Sequence, residues 1–231
     1  MPADLPTTPW LRSADTRPGP RPAYTLDQIA DVCVRLADEA GLQVVAMRRV
    51  ADALGTGAAS LYRYVRGKDD LFALMVDRVA AEYDFPALTG DVRTDVLSIA
   101  EQSRLLHRRH PWLSRIGPTA LGPRTLRYLD RMAGALGPTG LDATATMTGI
   151  AQLTGWVTAF AAHEAAGSAP GQTADADAIA ALSAQGDYPH LGALMASQPP
   201  EVRAEPVDMD AAFRAGIDAL LFGIVRNDQA R

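Results

Sequence analysis

The chain has 231 residues and a mass of 24.5 kDa, which is enough for one large or two small domains with a buried core. Hydrophobic residues make up 48% and charged residues 21%, and the net charge is −5. Because the chain as a whole is negatively charged, its overall charge does not attract nucleic acid. Binding to nucleic acid would need a local basic patch. The single cysteine, Cys33, excludes an internal disulfide and a cysteine metal cluster.

The first 24 residues are rich in proline, with scattered arginines, and predict a disordered arm. Two interpretations stay open: the arm has no role, or it contacts DNA phosphates or the minor groove. It has no apolar stretch long enough for a signal peptide. The most apolar window, residues 147–162, is too short and too polar to span a bilayer. Together with the cysteine count, these features predict a cytoplasmic protein without a membrane partner.

Helical periodicity starts at Thr25, the predicted N-cap of a helix that ends at Gly41. Short helices are predicted over about 47–54 and 58–64, and a longer helix begins near Lys68. Further helices are predicted near 91–109, 119–136, 141–166, 175–185, 187–197 and 208–226. No stretch shows sustained strand alternation. The predicted fold is all-α, with a helix-turn-helix unit over 25–70 and a larger helical bundle over 71–231.

Residues 47–68 have the spacing of a helix-turn-helix. Ala51 is small enough for a close helix crossing, Gly55 allows a positive φ at the turn, and Leu61 supplies an apolar plug. This segment carries five basic residues and one acidic residue, so its net charge is +4 and the rest of the chain carries −9. A cationic patch on an acidic protein is typical of a phosphate-binding surface. A solvated, salt-bridged helix pair is the alternative.

From Tyr24 to about Tyr83 the chain resembles the DNA-binding domain of the TetR family of bacterial repressors. The C-terminal region resembles the tetracycline-repressor type of effector domain. The resemblance rests on MRRVADALG at 47–55, ASLYRYVRGKDDL at 59–71, HPWL at 110–113, DYPHL at 187–191 and FRAGIDALLFGI at 213–224.

The resemblance implies that DNA is contacted by residues at the start of the second helix, on the recognition helix and at the start of the fourth helix. Tyr62 and Lys68 would contact phosphates, and Ala58 or Ala59 would meet a thymine methyl group. The implied set is Arg48, Arg49, Ala58, Ala59, Ser60, Tyr62, Arg63, Tyr64 and Lys68.

The resemblance also implies a homodimer through residues 141–166 and 208–226, and a small-molecule effector pocket within the bundle. The candidate pocket residues are His107, Trp112, Met132, Trp156, Phe160 and His163. His107 and His110 lie on roughly one helical face, but a metal site needs more ligands and no third one is evident. The sequence therefore predicts neither a metal nor a cofactor.

These observations favour a ligand-responsive transcriptional regulator, most simply a repressor that a small molecule releases from its operator DNA. The alternatives are a helical small-molecule-binding module and an activator without a repressor role. An enzyme is not predicted, because the chain has no nucleophile elbow, no phosphate-binding glycine loop and no Cys/His metal cluster.

Overall fold

The structure is a computed structural model that describes residues 8–13, 23–167, 182–183, 186, 188–197 and 208–229. These residues form α-helices and 3₁₀ turns without a strand, which confirms the all-α prediction. The predicted helix over 175–185 lies largely outside the described residues. The α-helices are α1 Pro9–Ser13, α2 Leu26–Ala40, α3 Met47–Ala53, α4 Ala58–Leu61, α5 Lys68–Val79, α6 Val92–Arg109, α7 Pro123–Leu136, α8 Ala143–Ala165, α9 Pro189–Ser197 and α10 Met209–Gln229.

The N-terminal unit is built around α2, which packs mainly on α5. Thr25 caps α2 in a capping box: its hydroxyl accepts the Gln28 N–H at 3.1 Å, and the Gln28 side chain accepts the Thr25 N–H at 2.9 Å. The apolar stripe of α2 is buried with residues of α3, α4 and α5 in one cluster. Because α5 contributes Leu71, Leu74, Met75 and Val79, this core continues beyond the unit boundary predicted at residue 70.

The C-terminal bundle packs α6, α7, α8 and α10 around a second apolar cluster. Phe160 of α8 and Phe213 of α10 lie at its centre, with ring centroids 5.1 Å apart and no more than 1% of either residue exposed. Burying two aromatic side chains in this way is a large hydrophobic contribution to the stability of the bundle. No helix in the described part of the chain is long and apolar enough to cross a membrane.

The N-terminal arm differs from the prediction. Residues 8–13 contain the short helix α1, which packs on the first core through Trp10 instead of staying disordered. The rest of the predicted arm before residue 23 lies outside the described residues. A six-residue amphipathic segment is too short to be recognised as a helix from its sequence, because isolated helices of that length are unstable without tertiary packing.

Candidate nucleic-acid interface

The helix-turn-helix has the predicted steric arrangement. Gly55 adopts φ +70°, and the turn is closed by hydrogen bonds from the Gly55 N–H to the Asp52 carbonyl and from the Thr56 N–H to the Ala51 carbonyl, at 3.0 and 2.9 Å. Ala51 and Leu61 are at most 1% exposed, so the small residue and the apolar plug meet in the core. The recognition helix α4 is shorter than predicted, and residues 62–64 continue it as a turn.

Three arginines of this unit lie on its outer surface. Arg48 and Arg49 stand on α3, and Arg63 follows α4; all three side chains are exposed. None of the ion pairs found in the described part of the chain involves them. By contrast, the buried Arg104 of the bundle is neutralised by Glu164. The positive charge on α3 and α4 is therefore available to an external anion.

The two tyrosines of the recognition segment have different roles. Tyr62 is 56% exposed, so its hydroxyl and ring are accessible to a partner. Tyr64 is half-buried: its hydroxyl accepts the Ala23 N–H at 2.9 Å, and its ring packs edge-on against Tyr24, with centroids 6.4 Å apart. Tyr24 in turn donates its hydroxyl to the Leu54 carbonyl at 2.9 Å. Tyr64 thus ties the recognition segment to the start of α2, which the sequence alone did not suggest.

The other predicted DNA contacts lie on α4 and at the start of α5. Ala59 is exposed, and Ala58 and Ser60 are half-buried on α4. Lys68 begins α5 with an exposed side chain whose ammonium lies 5.2 Å from the centroid of the Phe72 ring. The cationic and small residues of α3, α4 and the start of α5 therefore belong to one unit, and its predicted basic contacts Arg48, Arg49, Arg63 and Lys68 are all exposed.

The predicted effector residues divide between the two cores. Met132, Trp156 and Phe160 share the C-terminal cluster, and Trp156 donates its indole N–H to the Phe213 carbonyl at 3.3 Å. Trp112 belongs instead to the N-terminal cluster, where its indole N–H donates to Asp38 of α2 at 2.6 Å. Trp112 therefore lies in a core that the N-terminal unit shares with the end of α6. Its place in an effector pocket stays a prediction.

Each of the two candidate histidines contacts a carbonyl of its own helix. His163 is exposed, with its Nδ1 atom 2.8 Å from the Ala159 carbonyl of its own helix, so it does not face the bundle interior. His107 is half-buried, with its Nδ1 atom 2.9 Å from the Ser103 carbonyl, and burial lowers its pKa. The described residues contain no group of three or more side chains placed to hold a metal ion.

A buried ionic cluster in the bundle was not predicted. Arg104 of α6 lies between Phe160 and Phe213, with its guanidinium 4.9 and 4.7 Å from their ring centroids. It donates two hydrogen bonds to Glu164, at 2.6 and 2.9 Å, and one to Asp210 at 2.8 Å. Burial alone would raise the pKa of Glu164, but the hydrogen bonds from Arg104 and Arg108 outweigh it and lower the pKa. The cluster joins α6, α8 and α10.

Carboxylates of the N-terminal unit contact basic side chains of the bundle where the two units adjoin. This contact region is called the joint below. His110 at the end of α6 lies between Asp38 of α2, 2.8 Å from its Nδ1 atom, and Glu82, 3.2 Å from its Nε2 atom. Arg124 of α7 donates to both oxygens of Asp27 of α2, at 2.7 Å each. The end of α6 and the start of α7 therefore both contact α2 through side chains.

The outer faces of α8 and α10 carry exposed apolar side chains. Met147 on α8 is 52% exposed and Phe222 on α10 is 63% exposed, while the inner faces of the same helices pack against each other. Exposed large apolar groups on two adjacent helices are typical of a surface that a second subunit covers.

Comparison with family models gives two matches. Residues 29–75 match "Bacterial regulatory proteins, tetR family", and residues 85–227 match "Tetracyclin repressor-like, C-terminal domain". The HTH-type transcriptional repressor DrrR1 of Streptomyces coeruleorubidus is 39% identical over 143 residues, which are 60% of this chain and 53% of that repressor. An HTH-type transcriptional regulator of Saccharopolyspora erythraea is 27% identical over 220 residues, which are 93% of this chain and 90% of that protein.

Solved structures show the same architecture. The TetR family protein ActR of Streptomyces coelicolor, in complex with actinorhodin, superposes with a TM-score of 0.72 and 26% identity, over 89% of this chain and 97% of that one. The ActR complex with (S)-DNPA gives a TM-score of 0.71 at the same identity, over 89% and 98% of the two chains. The match extends over both the helix-turn-helix unit and the bundle.

Proposed function

The chain belongs to the TetR family of DNA-binding, ligand-responsive transcriptional regulators, and we propose that it represses transcription by binding an operator with α3 and α4. The observation that carries the proposal is the exposed cationic face of this unit on an otherwise acidic chain. Arg48, Arg49 and Arg63 have no carboxylate partner among the described residues, and the exposed Tyr62 directly precedes Arg63 in the chain. Such a face gains affinity by displacing counterions from DNA phosphates.

One helix-turn-helix reads only a half-site, so stable operator binding requires two copies. We propose that the exposed faces of α8 and α10, over the predicted ranges 141–166 and 208–226, form the interface of a homodimer. Two recognition helices would then enter the major groove about one helical turn apart, roughly 34–36 Å. Met147 and Phe222 would be covered in this dimer, which removes their exposed apolar surface from water.

The bundle would bind the effector. Met132, Trp156 and Phe160 support this assignment because they converge in the C-terminal cluster from α7 and α8. A ligand entering there would displace α6 or α7, whose ends contact α2 through His110 and Arg124. The ligand can change the free energy of DNA binding by no more than the difference between its own binding free energies for two arrangements of the joint, one that fits the operator and one that does not. The protein would act where the bacterial chromosome is, in the cytoplasm.

The proposal is tested by selecting duplexes from a random pool with the purified chain and measuring affinity for the enriched sequence. The double variant Arg48→Ala/Tyr62→Ala should abolish preference for that sequence while far-UV dichroism and unfolding stay unchanged, because both side chains are exposed. Arg93→Ala is the matched control, since it removes a 58% exposed arginine from the start of α6. A chain that enriches no sequence, or a double variant that binds like the control, would argue against the proposal.

Ligand release is a separate measurement on the same complex. Actinorhodin is a suitable first probe because ActR, which is 26% identical, holds it in a solved structure. Titration of the operator complex with actinorhodin, followed by anisotropy of labelled DNA, should lower the bound fraction if the two proteins share an effector class. Compounds handled by the products of neighbouring genes are the next probes. Operator binding combined with increased transcription of the adjacent gene would instead identify an activator.

A further inference from the structure

The short helix α1 occupies the joint between the DNA-binding unit and the bundle. Pro9 is buried and Trp10 is half-buried against the first core. The Trp10 ring approaches Gly122, the residue before α7, so closely that a Cβ on Gly122 would overlap both this ring and the carboxylate of Asp77. Only glycine fits at this contact. Helix α1 is therefore docked at the point where α5 meets the start of α7.

The contact covers a buried carboxylate that links the two units. Asp77 of α5 is 1% exposed and accepts the backbone N–H groups of Arg124 and Thr125, at 2.8 and 2.9 Å. It also lies 3.4 Å from the Arg124 guanidinium. Asp77 thus acts as the cap of α7 from another helix, and satisfies N–H groups that a helix start otherwise leaves without partners.

A second contact fixes the other end of α1. Arg12 forms an ion pair with Asp70 in the first turn of α5, and the two side chains are only 19% and 17% exposed. Asp70 also accepts the backbone N–H of Arg66, just after the recognition segment, at 2.6 Å. Helix α1 therefore spans α5 from the end nearest the recognition segment to Asp77 at the joint with α7.

We propose that α1 is an interdomain strap, in which Trp10 and Arg12 are positioning residues that fix the DNA-binding unit relative to the bundle. Neither side chain touches DNA in this assignment. A fixed joint holds both recognition helices of a dimer in one relative orientation before binding, and this lowers the conformational entropy lost on the operator. Loosening the strap should weaken operator binding without altering any phosphate contact. The operator readout rests on the proposed function, whereas the joint itself can be tested without DNA.

The first experiment measures amide hydrogen exchange in the free protein at Arg124 and Thr125. Trp10→Ala should accelerate exchange at these amides by roughly three- to tenfold, because the hydrogen bonds to Asp77 become exposed to water. Leu11→Ala is the matched control, since Leu11 lies on the same helix but is 63% exposed, and it should leave the exchange rates unchanged.

An internal reference distinguishes a loosened joint from general destabilisation. The amides of Thr89 and Gly90 are also held by a buried carboxylate, Asp95, but at the start of α6 away from the strap. Their exchange should stay unchanged in Trp10→Ala. Equal acceleration at both carboxylates, or none at Arg124 and Thr125, would overturn the strap.

The second experiment measures operator affinity as a function of salt concentration. Trp10→Ala and Arg12→Gln should each weaken binding by several-fold to about tenfold, while the slope of log affinity against log salt stays the same. Arg12→Lys should restore affinity, because it keeps a positive charge beside Asp70. Unchanged or tighter binding by Trp10→Ala, or a reduced slope, would overturn the positioning role. A parent protein that binds no duplex would refute the proposed function, and the exchange experiment would still decide on the strap.

Discussion

The substitution Glu164→Gln removes one charge from the buried ionic cluster of the bundle while keeping the size of the side chain. Glu164 is 13% exposed and receives two hydrogen bonds from Arg104, whose own side chain is 6% exposed, and one from Arg108 at 2.7 Å. After the change, Asp210 is the remaining carboxylate that the structure places on Arg104, and it is 65% exposed. The guanidinium charge of Arg104 would therefore stay buried, with only the exposed Asp210 carboxylate left to neutralise it.

The expected cost follows from this geometry. Breaking a buried ion pair by removing one partner costs about 3–5 kcal/mol, and the remaining Asp210 contact places this case near about 2–3 kcal/mol. For a domain of this size, such a loss lowers the Tm by roughly 4–12 °C. Arg104→Met/Glu164→Gln should cost less than Glu164→Gln alone, because methionine can fill the space between Phe160 and Phe213 without a charge.

The assay is urea unfolding at a fixed protein concentration, followed by circular dichroism, for the parent, the single variants Glu164→Gln and Arg104→Met, and the double variant. Glu101→Gln is the matched control: it makes the same chemical change in the Glu101–Arg214 pair, whose side chains are 42% and 56% exposed. That control should cost about 0–1 kcal/mol. If Glu164→Gln costs no more than the control, or if the double variant is the least stable, the reasoning about Arg104 is refuted.

Three further predictions concern the stability of the protein and the dependence of that stability on pH. Leu61→Ala should destabilise the protein by about 2–5 kcal/mol in urea unfolding, because this residue is fully buried, whereas Tyr62→Ala should change stability by less than about 0.5 kcal/mol. Hydrogen bonds from Arg124 hold the pKa of Asp27 below its usual value, so this stabilisation is present above about pH 4 and is lost as the pH falls through the lowered pKa. Asp27→Asn should flatten that part of the stability profile, and an unchanged profile would contradict the pairing. Burial lowers the pKa of His107, so stability should fall as the pH drops below about 6.5, and His107→Gln should reduce this dependence.

The sequence predicted those parts of the fold that depend on neighbouring residues. The N-cap at Thr25 and the turn at Gly55 each follow from the chemistry of a few consecutive positions, and both are confirmed. The burial of Leu61 follows in the same way from helical spacing. The net charge of the helix-turn-helix segment could also be counted from the sequence, because the count does not depend on contacts with residues far along the chain.

Side chains whose partners lie far along the chain were not predictable. Trp112 pairs with Asp38, 74 positions earlier, and Arg104 pairs with Asp210, 106 positions later. Apolar spacing says that a residue is buried but not in which of two cores it lies, so the place of Trp112 in the N-terminal cluster could not be predicted. Tyr64 was predicted on the recognition helix but lies in the turn after it, and its hydrogen bond to Ala23 depends on how the residues before α2 approach that turn.

The proposed function requires the cationic face of α3, α4 and the start of α5 to bind DNA phosphates. The most direct test is the slope of log affinity against log salt for the enriched duplex, compared between the parent and Lys68→Gln. Each lost phosphate contact lowers the slope by about 0.9, so a dimer lacking both Lys68 contacts should lose about 1.8. Arg214→Gln, which removes an exposed charge from α10, should leave the slope unchanged. Equal slopes for the parent and Lys68→Gln, or equal losses in both variants, would contradict the claim.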